Sequence, residues 1–262
     1  MKALEHLLID VRDSVLHVCI NRPEKRNALS RDVLEELGHV FVEYASDASL
    51  RAAVITGAGD KSFAAGGDLK EFASLRSEAD AEALFRCANE ALGHVRRFTV
   101  PVIAALNGLA LGGGAELALA CDFRVAAAHA GIGFVQGRLN ISTGFGGGTD
   151  LFKLLGTQRA LRVLTEARIL GAEEAREIGL FDAVGIENEP LEQCSERFLE
   201  SLHAHVPQVL RAFKAQASNH RLGLTRVECE RREQAEFVRT WTHPDHWAAA
   251  DRLLARKSRG TA

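Results

Sequence analysis

The sequence of 262 residues lacks the patterns that identify several classes of protein directly. Its five cysteines form no CxxC pair and no Cys/His cluster with zinc-ligand spacing, so we expect reduced thiols rather than disulfides or a structural metal. The absence of any run of about 18 apolar residues and of an apolar signal core predicts a soluble, cytoplasmic protein. The net charge of −3 gives no reason to expect nucleic acid or a membrane as a partner.

Nucleotide-binding loops are also missing. Neither glycine cluster fits GxGxxG between a strand and a helix, and no glycine-rich loop ends in Gly-Lys-Ser or Gly-Lys-Thr. These absences exclude the common dinucleotide-binding and P-loop folds. The apolar content of 47% and charged content of 26% are typical of a globular protein, and the length suits one sizeable domain with or without an appendage.

Hydrophobic periodicity predicts alternating strands and helices in the first part of the chain. Alternating runs at 6–11 and 14–20 indicate a hairpin, and Ser30 is a candidate N-cap for the helix that follows. A buried strand at 52–56, an amphipathic helix at about 79–97 and a strand at 101–106 come next. The helix after Ser30 has one apolar face, formed by Val33, Leu34, Leu37, Val40, Phe41 and Tyr44. This order indicates an α/β fold.

Strand signals stop near residue 190, and helical periodicity continues to the end. The predicted helices cover 191–205, 207–219, 225–240 and 245–257. We therefore predict a core at 1–190 and an all-helical region at 191–262. Because no stretch between them has the composition of a flexible linker, we expect this tail to pack on the core or on another subunit.

Two glycine-bearing segments carry most of the functional information. Residues 62–71 read SFAAGGDLKE, and residues 107–118 read NGLALGGGAELA. Glycine has no Cβ, so its backbone N–H can approach a ligand closely. The second segment also opens a helix, whose N-terminus favours an anion. The alternative interpretation is that both glycine clusters only make tight turns and close packing contacts.

Together with the segments 21–23 (NRP), 121–124 (CDFR) and 144–147 (GFGG), these motifs resemble the crotonase (enoyl-CoA hydratase/isomerase) superfamily. The resemblance covers most of residues 10–190. It implies a spiral of β-β-α turns followed by a C-terminal helical region that forms homotrimers or dimers of trimers. It also implies an acyl-CoA substrate, a role in fatty acid metabolism and no separate cofactor, because CoA is part of the substrate.

Chemistry at the α- or β-carbon of a thioester places negative charge on the thioester oxygen. By resemblance, the amides of Gly67 and Gly113 donate to that oxygen, and each such donor contributes about 3 kcal/mol. Glu116 matches the first catalytic glutamate of the superfamily and would hold or move a proton. The alternative role of Glu116 is that of an acid stabilised by the helix dipole.

The second catalytic glutamate of the superfamily aligns with Gln136. An amide orients a water or a carbonyl but does not accept a proton at neutral pH, so a two-glutamate hydration is not expected. The segments 134–136 (FVQ) and 144–148 (GFGGG) are similar to the branch that decarboxylates ethylmalonyl- and methylmalonyl-CoA. In that reaction, loss of carbon dioxide forms the enolate without a base.

The sequence thus predicts an acyl-CoA lyase that works through a thioester enolate. Decarboxylation of a malonyl-type CoA thioester is the alternative reaction. A protein that binds CoA, or serves as a scaffold, without turnover is the alternative of another class.

The resemblance also implies a set of substrate-binding residues. Basic residues in this set would meet the CoA phosphates or, alternatively, would only be solvated. Asp68 is expected to shape its loop rather than to catalyse. No metal site is predicted, because His243 and His246 have no third clustered ligand. The predicted substrate-binding residues are Lys25, Arg26, Ala65, Gly67, Asp68, Leu69, Lys70 and Gly113.

Overall fold

The computed structural model describes residues 2–259. Residue 1 and residues 260–262, at the outer ends of the predicted core and tail, lie outside the described residues. The strands are β1 (Lys2–Ala3), β2 (Leu7–Arg12), β3 (Val15–Ile20), β4 (Ala52–Gly57), β5 (Ser62–Ala64), β6 (Val102–Leu106), β7 (Leu109–Leu111), β8 (Phe123–Ala126), β9 (Gly131–Gly133), β10 (Leu170–Gly171) and β11 (Ala183–Val184). The helices are α1 (Arg31–Glu43), α2 (Leu69–Phe72), α3 (Glu78–Arg96), α4 (Gly113–Ala120), α5 (Gly147–Glu166), α6 (Ala172–Glu177), α7 (Leu191–His203), α8 (Pro207–Arg221), α9 (Arg226–Trp241) and α10 (Pro244–Arg259).

Two sheets organise these strands. The larger has the order β1-β2-β3-β4-β6-β8-β11, antiparallel from β1 to β3 and parallel from β3 onward. The smaller has the order β10-β9-β7-β5, with β5, β7 and β9 parallel. The consecutive pairs β4–β5, β6–β7 and β8–β9 each place one strand in each sheet, and one or two helices follow each pair. This repeated β-β-α order is the predicted one.

The predicted elements of the first part of the chain are present. The Oγ atom of Ser30 accepts a hydrogen bond from the Val33 amide at 3.2 Å, which makes Ser30 the N-cap of α1. The hairpin pairs β2 with β3, and β4 and β6 are almost entirely buried. Long apolar strands of this kind are typical of a parallel sheet that is covered on both faces. The pattern did not predict the short strands of the smaller sheet or the helix α5.

The first two helices of the tail, α7 and α8, pack on the core of the same chain. In α7, Cys194 and Leu199 are buried in an apolar cluster with Val54 of the larger sheet, and the Phe198 ring lies 5.2 Å from that of Phe123. In α8, Leu210 is also buried. The sequence predicts that the tail drives self-association through apolar faces formed by residues 198, 199, 202, 209, 210, 213, 237 and 241. Leu199 and Leu210 of this set are instead buried within the same chain, while self-association itself stays a prediction.

Two basic side chains of α8 tie the tail to the core. Lys214 donates to the Asp122 carboxylate at 2.6 Å, and both side chains are largely buried. Arg221 donates to the last carbonyl groups of α4 and to that of Cys121, at 3.0 to 3.1 Å. A helix ends with unpaired carbonyls, so this arginine stabilises the C-terminus of α4. Between residues 2 and 259, no helix is both long enough and apolar enough to span a membrane.

Candidate active site

In the first glycine segment, Gly67 forms an isolated parallel bridge with Leu29. The Leu29 amide donates to the Gly66 carbonyl at 2.8 Å, and the Asp68 amide donates to the Leu29 carbonyl at 3.0 Å. These bonds engage the residues on either side of Gly67, so its own amide faces away from Leu29. Gly66 has a φ of +109°, a conformation that other residues rarely adopt.

The second glycine segment brings Gly113, the first residue of α4, to the same place. A Cβ atom added to Gly113 would lie 3.4 Å from the Gly67 amide nitrogen and 2.6 Å from the Phe145 ring, and one on Gly67 would lie 2.7 Å from the Phe72 ring. Among the hydrogen bonds formed within residues 2–259, neither glycine amide is a donor. Two neighbouring N–H groups that have no acceptor among the described residues, one of them at the N-terminus of α4, can stabilise an oxygen that gains negative charge.

Glu116 lies one turn into α4, and its carboxyl group is almost completely buried. Its Oε1 atom accepts hydrogen bonds from the Gly144 amide at 3.2 Å and from Nε2 of Gln136 at 2.8 Å. Its Oε2 atom accepts from the amides of Phe145 and Gly147, each at 2.8 Å. Four donors thus fix the orientation of one carboxylate.

Two opposing effects set the protonation of this group. Burial raises the pKa of the Glu116 carboxyl above its ordinary value of 4.5, and the hydrogen bonds from Gly147, Phe145, Gly144 and Gln136 oppose that rise in part. The net shift is upward. A carboxyl group with a raised pKa exchanges its proton closer to neutral pH, which suits a catalyst that both takes up and returns a proton.

Gln136 lies in a short 3-10 helix, Val135–Leu139, that follows β9. Its side chain is 8% exposed and reaches Glu116 through Nε2. The Oε1 atom of Gln136 is buried and, within the described residues, has no hydrogen-bond partner. Buried acceptors are nearly always satisfied, so this oxygen is available to a donor on a bound molecule. A Cβ atom added to Gly112, the first of the three consecutive glycines in the second segment, would lie 4.0 Å from Cδ of Gln136.

The chain matches the family model described as enoyl-CoA hydratase/isomerase over residues 10–248. The chain belongs to the enoyl-CoA hydratase/isomerase family. It is 34% identical over 211 residues to the short-chain-enoyl-CoA hydratase of Clostridium acetobutylicum, a match that covers 80% of each protein. It is 38% identical over 182 residues to the crotonyl-CoA hydratase of Syntrophomonas wolfei, covering 70% of each.

Solved structures of the family have the same fold. The enoyl-CoA hydratase of Bacillus anthracis is 32% identical and superposes with a TM-score of 0.88, covering 96% of this chain and 97% of that one. The enoyl-CoA hydratase of Mycobacterium smegmatis is 26% identical, with a TM-score of 0.89 and 97% of both chains covered. These similarities confirm the predicted crotonase superfamily and fold. The protein is therefore an enzyme of the enoyl-CoA hydratase/isomerase family, which acts on acyl-CoA.

In this family member, Asp68 has a structural role beside the first glycine segment. Its carboxylate pairs with the buried Arg22 at 3.0 Å and lies 3.7 Å from Nζ of Lys25. It also accepts from the Glu71 amide at 3.4 Å and so caps α2. Burial alone would raise the pKa of Asp68, but the hydrogen bonds from Arg22 and the Glu71 amide, with the two cations, lower it below its usual range.

The other predicted substrate-binding residues surround the same segment. The Ala65 amide donates to the Arg26 carbonyl at 3.1 Å. Leu69 and Lys70, at the start of α2, are exposed. Their contacts with CoA remain predictions. The two tail histidines lie elsewhere, since His243 contacts Gln208 and His246 packs on Trp241.

Sequence reasoning missed the loop that holds Glu116. In the sequence, the segment 144–147 is informative only as part of the resemblance, yet three of its amides donate to the carboxylate. Two features of the sequence pointed to it: the three consecutive glycines at 146–148, and the position of the loop just before a helix. Sequence reasoning also missed Asn89 and Arg96 of α3, which contact this loop from its other side.

Proposed function

We propose that the protein is an acyl-CoA lyase that stabilises a thioester enolate between the amides of Gly67 and Gly113. Glu116 is the only carboxyl group in this proposal that acts at the reacting carbons. The observation that carries it is the hydrogen bond of 2.8 Å from Gln136 to Glu116, since it puts an amide beside Glu116 at the residue that the resemblance aligns with the second acid.

Addition of water to a short 2-enoyl-CoA is the reaction we favour. Both relatives described above are named as hydratases of such thioesters. Water attacks the β-carbon, its proton passes to the Glu116 carboxylate, and the electrons of the double bond move to the thioester oxygen. Glu116 then returns the proton to the α-carbon, so one carboxyl group serves both steps. The free Oε1 atom of Gln136 is a suitable acceptor for the attacking water.

One carboxyl group performs two proton transfers less well than two groups that are each tuned to one transfer. We therefore expect this protein to hydrate 2-enoyl-CoA more slowly than an enzyme with two catalytic carboxyl groups. A paired acid and base typically gives a further factor of about 10²–10⁴ in rate.

Decarboxylation of a malonyl-type CoA thioester is the second candidate. Gln136 favours it, because an uncharged side chain beside the site does not repel the carboxylate of the substrate. In this reaction the bond from the α-carbon to the carboxylate breaks, carbon dioxide leaves, and the electron pair forms the enolate. A proton from Glu116 or water completes the product.

Purified protein assayed with crotonyl-CoA, methylmalonyl-CoA and ethylmalonyl-CoA tests the proposal. We expect slow hydration of crotonyl-CoA that disappears in the Glu116→Gln variant. Release of carbon dioxide from either malonyl-type thioester, without hydration, would replace the favoured reaction with the second candidate. Binding of all three thioesters without turnover would identify a CoA-binding protein and overturn the proposal.

A further inference from the structure

The loop of residues 144–147, whose amides donate to Glu116, accepts hydrogen bonds from α3 on its other side. The carbonyl of Gly144 accepts a hydrogen bond from Nδ2 of Asn89 at 3.0 Å. The carbonyl of Phe145 accepts one from a terminal nitrogen of Arg96 at 2.8 Å. The amides of the same two loop residues donate to Glu116 on the opposite side.

The fit on both sides of the loop is close. A Cβ atom added to Gly146 would lie 2.6 Å from the Asn89 side-chain oxygen and 2.8 Å from the Arg96 guanidinium. One added to Gly147 would lie 2.4 Å from Cγ of Glu116. The loop is therefore confined between α3 and α4, with no room for a side chain at either glycine.

Arg96 is in turn fixed by an acid. Its Nε atom lies 2.7 Å from the Asp150 carboxylate, and the two side chains are 14% and 7% exposed. Asp150 is in the first turn of α5 and also lies 3.7 Å from Arg221 of α8. Nε of the Arg96 guanidinium binds the Asp150 carboxylate, and a terminal nitrogen of the same group donates to the Phe145 carbonyl. The single ammonium group of a lysine cannot reproduce this planar, two-point geometry.

We propose that Arg96, oriented by Asp150 and assisted by Asn89, is a positioning residue that aims three backbone amides of the loop, those of residues 144, 145 and 147, at the Glu116 carboxylate. Arg96 acts through the loop, so its effect appears in the ionisation of Glu116 and in kcat rather than in substrate affinity. The expected effect on kcat rests on the proposed function of Glu116. The expected effect on the ionisation of Glu116 is independent of that function.

The ionisation of Glu116 follows from its surroundings. Burial and the four donors set it. The charged side chains that line the cavity behind the loop are Arg96, Arg97, Asp150, Lys153 and Arg221. Without the Arg96 side chain the loop amides lose their fixed direction, and Glu116 loses part of the stabilisation of its charged form. The pKa of Glu116 therefore rises further in such a variant.

The test uses Arg96→Met, Arg96→Lys and the double variant Arg96→Met with Asp150→Asn. The double variant leaves no unpaired buried charge, so it keeps the proposal testable if Arg96→Met does not fold. Arg86→Met is the matched control, because Arg86 lies on the same helix and, among the described residues, pairs with Glu82 alone, at the surface. Two readouts are needed: the pH profile of kcat, and the titration of Glu116 by NMR in protein labelled with ¹³C-glutamate, assigned by its absence in Glu116→Gln.

We expect the titration midpoint of Glu116 and the acid limb of the pH profile to move up by about one pH unit in Arg96→Met and in the double variant. We expect kcat near neutral pH to fall about tenfold with little change in KM, an intermediate effect in Arg96→Lys, and none in Arg86→Met. A folded Arg96 variant whose Glu116 titrates as in the unaltered protein would overturn the proposal. If the unaltered protein turns over no thioester, the proposed function fails, but the NMR titration still decides the role of Arg96.

Discussion

The side-chain amide of Gln136 donates to Oε1 of Glu116 across 2.8 Å, inside a site where both side chains are buried. The donor is fixed by the Glu116 carboxyl group, and the carbonyl end of the same amide is left without a partner among the described residues. Glu116, a proton acceptor that already accepts hydrogen bonds, therefore lies beside the Oε1 atom of Gln136, an acceptor that is free to bind a donor. This arrangement can hold a water or hydroxyl group, and it lacks the second titrating group of a two-acid site.

Gln136→Glu should restore that second group. The new carboxyl would lie within hydrogen-bond distance of Glu116, and two acids this close share one proton, because the pKa of one of them is pushed up. We expect hydration of crotonyl-CoA to rise by about 10²–10⁴-fold and any decarboxylation of methylmalonyl-CoA to fall. Steady-state rates of both reactions for both proteins check this. Fast hydration by the unaltered protein, unchanged in the variant, would show that Gln136 does not occupy the place of the second acid.

Removal of the Gly113 amide should remove most of the activity. Proline is tolerated at the first position of a helix and has no N–H. Because a Cβ atom on Gly113 would meet the Phe145 ring, the test compares Gly113→Pro with Gly113→Ala, both carrying Phe145→Ala. We expect kcat to be about 10²–10³-fold lower for the proline variant. Equal kcat values for these two folded proteins would contradict the assignment of Gly113 as a donor to the thioester oxygen.

The stability of the protein should fall with rising pH because of Glu116. Its pKa is raised in the folded chain, so the folded state binds the proton more tightly than the unfolded state does. The contribution is therefore most favourable below the ordinary pKa of 4.5, declines as the pH rises through the folded pKa, and is constant above it. Relative to Glu116→Gln, the free energy of unfolding should decrease by about 1.4 kcal/mol for each unit that separates the two pKa values.

Urea unfolding of both proteins, at pH values from the ordinary pKa of glutamate up to about 8, measures this difference. Glu82→Gln is the control, since that side chain is on the surface of α3. A constant difference between the unaltered protein and Glu116→Gln over the whole range would contradict the upward shift.

We propose that the outer part of the tail mediates self-association into trimers or dimers of trimers. The helix α9 has no buried residue, and Phe237, Trp241 and Trp247 are each about half exposed. Exposed apolar surface of this kind marks an interface. We expect Trp241→Glu to reduce the mass found by light scattering, and Ile186→Glu, at an exposed position outside these helices, to leave it unchanged. A clean monomer of 28.4 kDa for the unaltered protein would contradict the proposal.

The sequence was sufficient for the fold class because its long elements follow simple periods. Helix α3, for example, was predicted at about 79–97 and observed at Glu78–Arg96. The short strands of the smaller sheet were not predicted. Strand β9, Gly131–Gly133, has three residues, two of them glycine, and is held by its neighbours rather than by its own propensity. Such strands leave no periodic signal.

The sequence predicted only those site residues that lie within a recognisable motif. Gly67, Gly113 and Glu116 lie in two short segments with a characteristic spacing, so the resemblance identified them. Asn89 and Arg96 lie in a helix whose periodic signal concerns its apolar face, and they contact a loop about 50 residues further along the chain. No local pattern reports a hydrogen bond between a side chain and a distant backbone carbonyl.

The backbone supplies three of the four donors to Glu116, and a side-chain substitution does not delete a backbone N–H unless it introduces proline. The glycines at 146 and 147 also reject larger residues by steric contact. Residue 136 is therefore the one position at which a side-chain substitution directly changes a donor to this carboxylate. The other three donors are fixed by the backbone conformation of the loop. A substitution at residue 136 is therefore the most direct change of a side chain that alters the polar groups around Glu116.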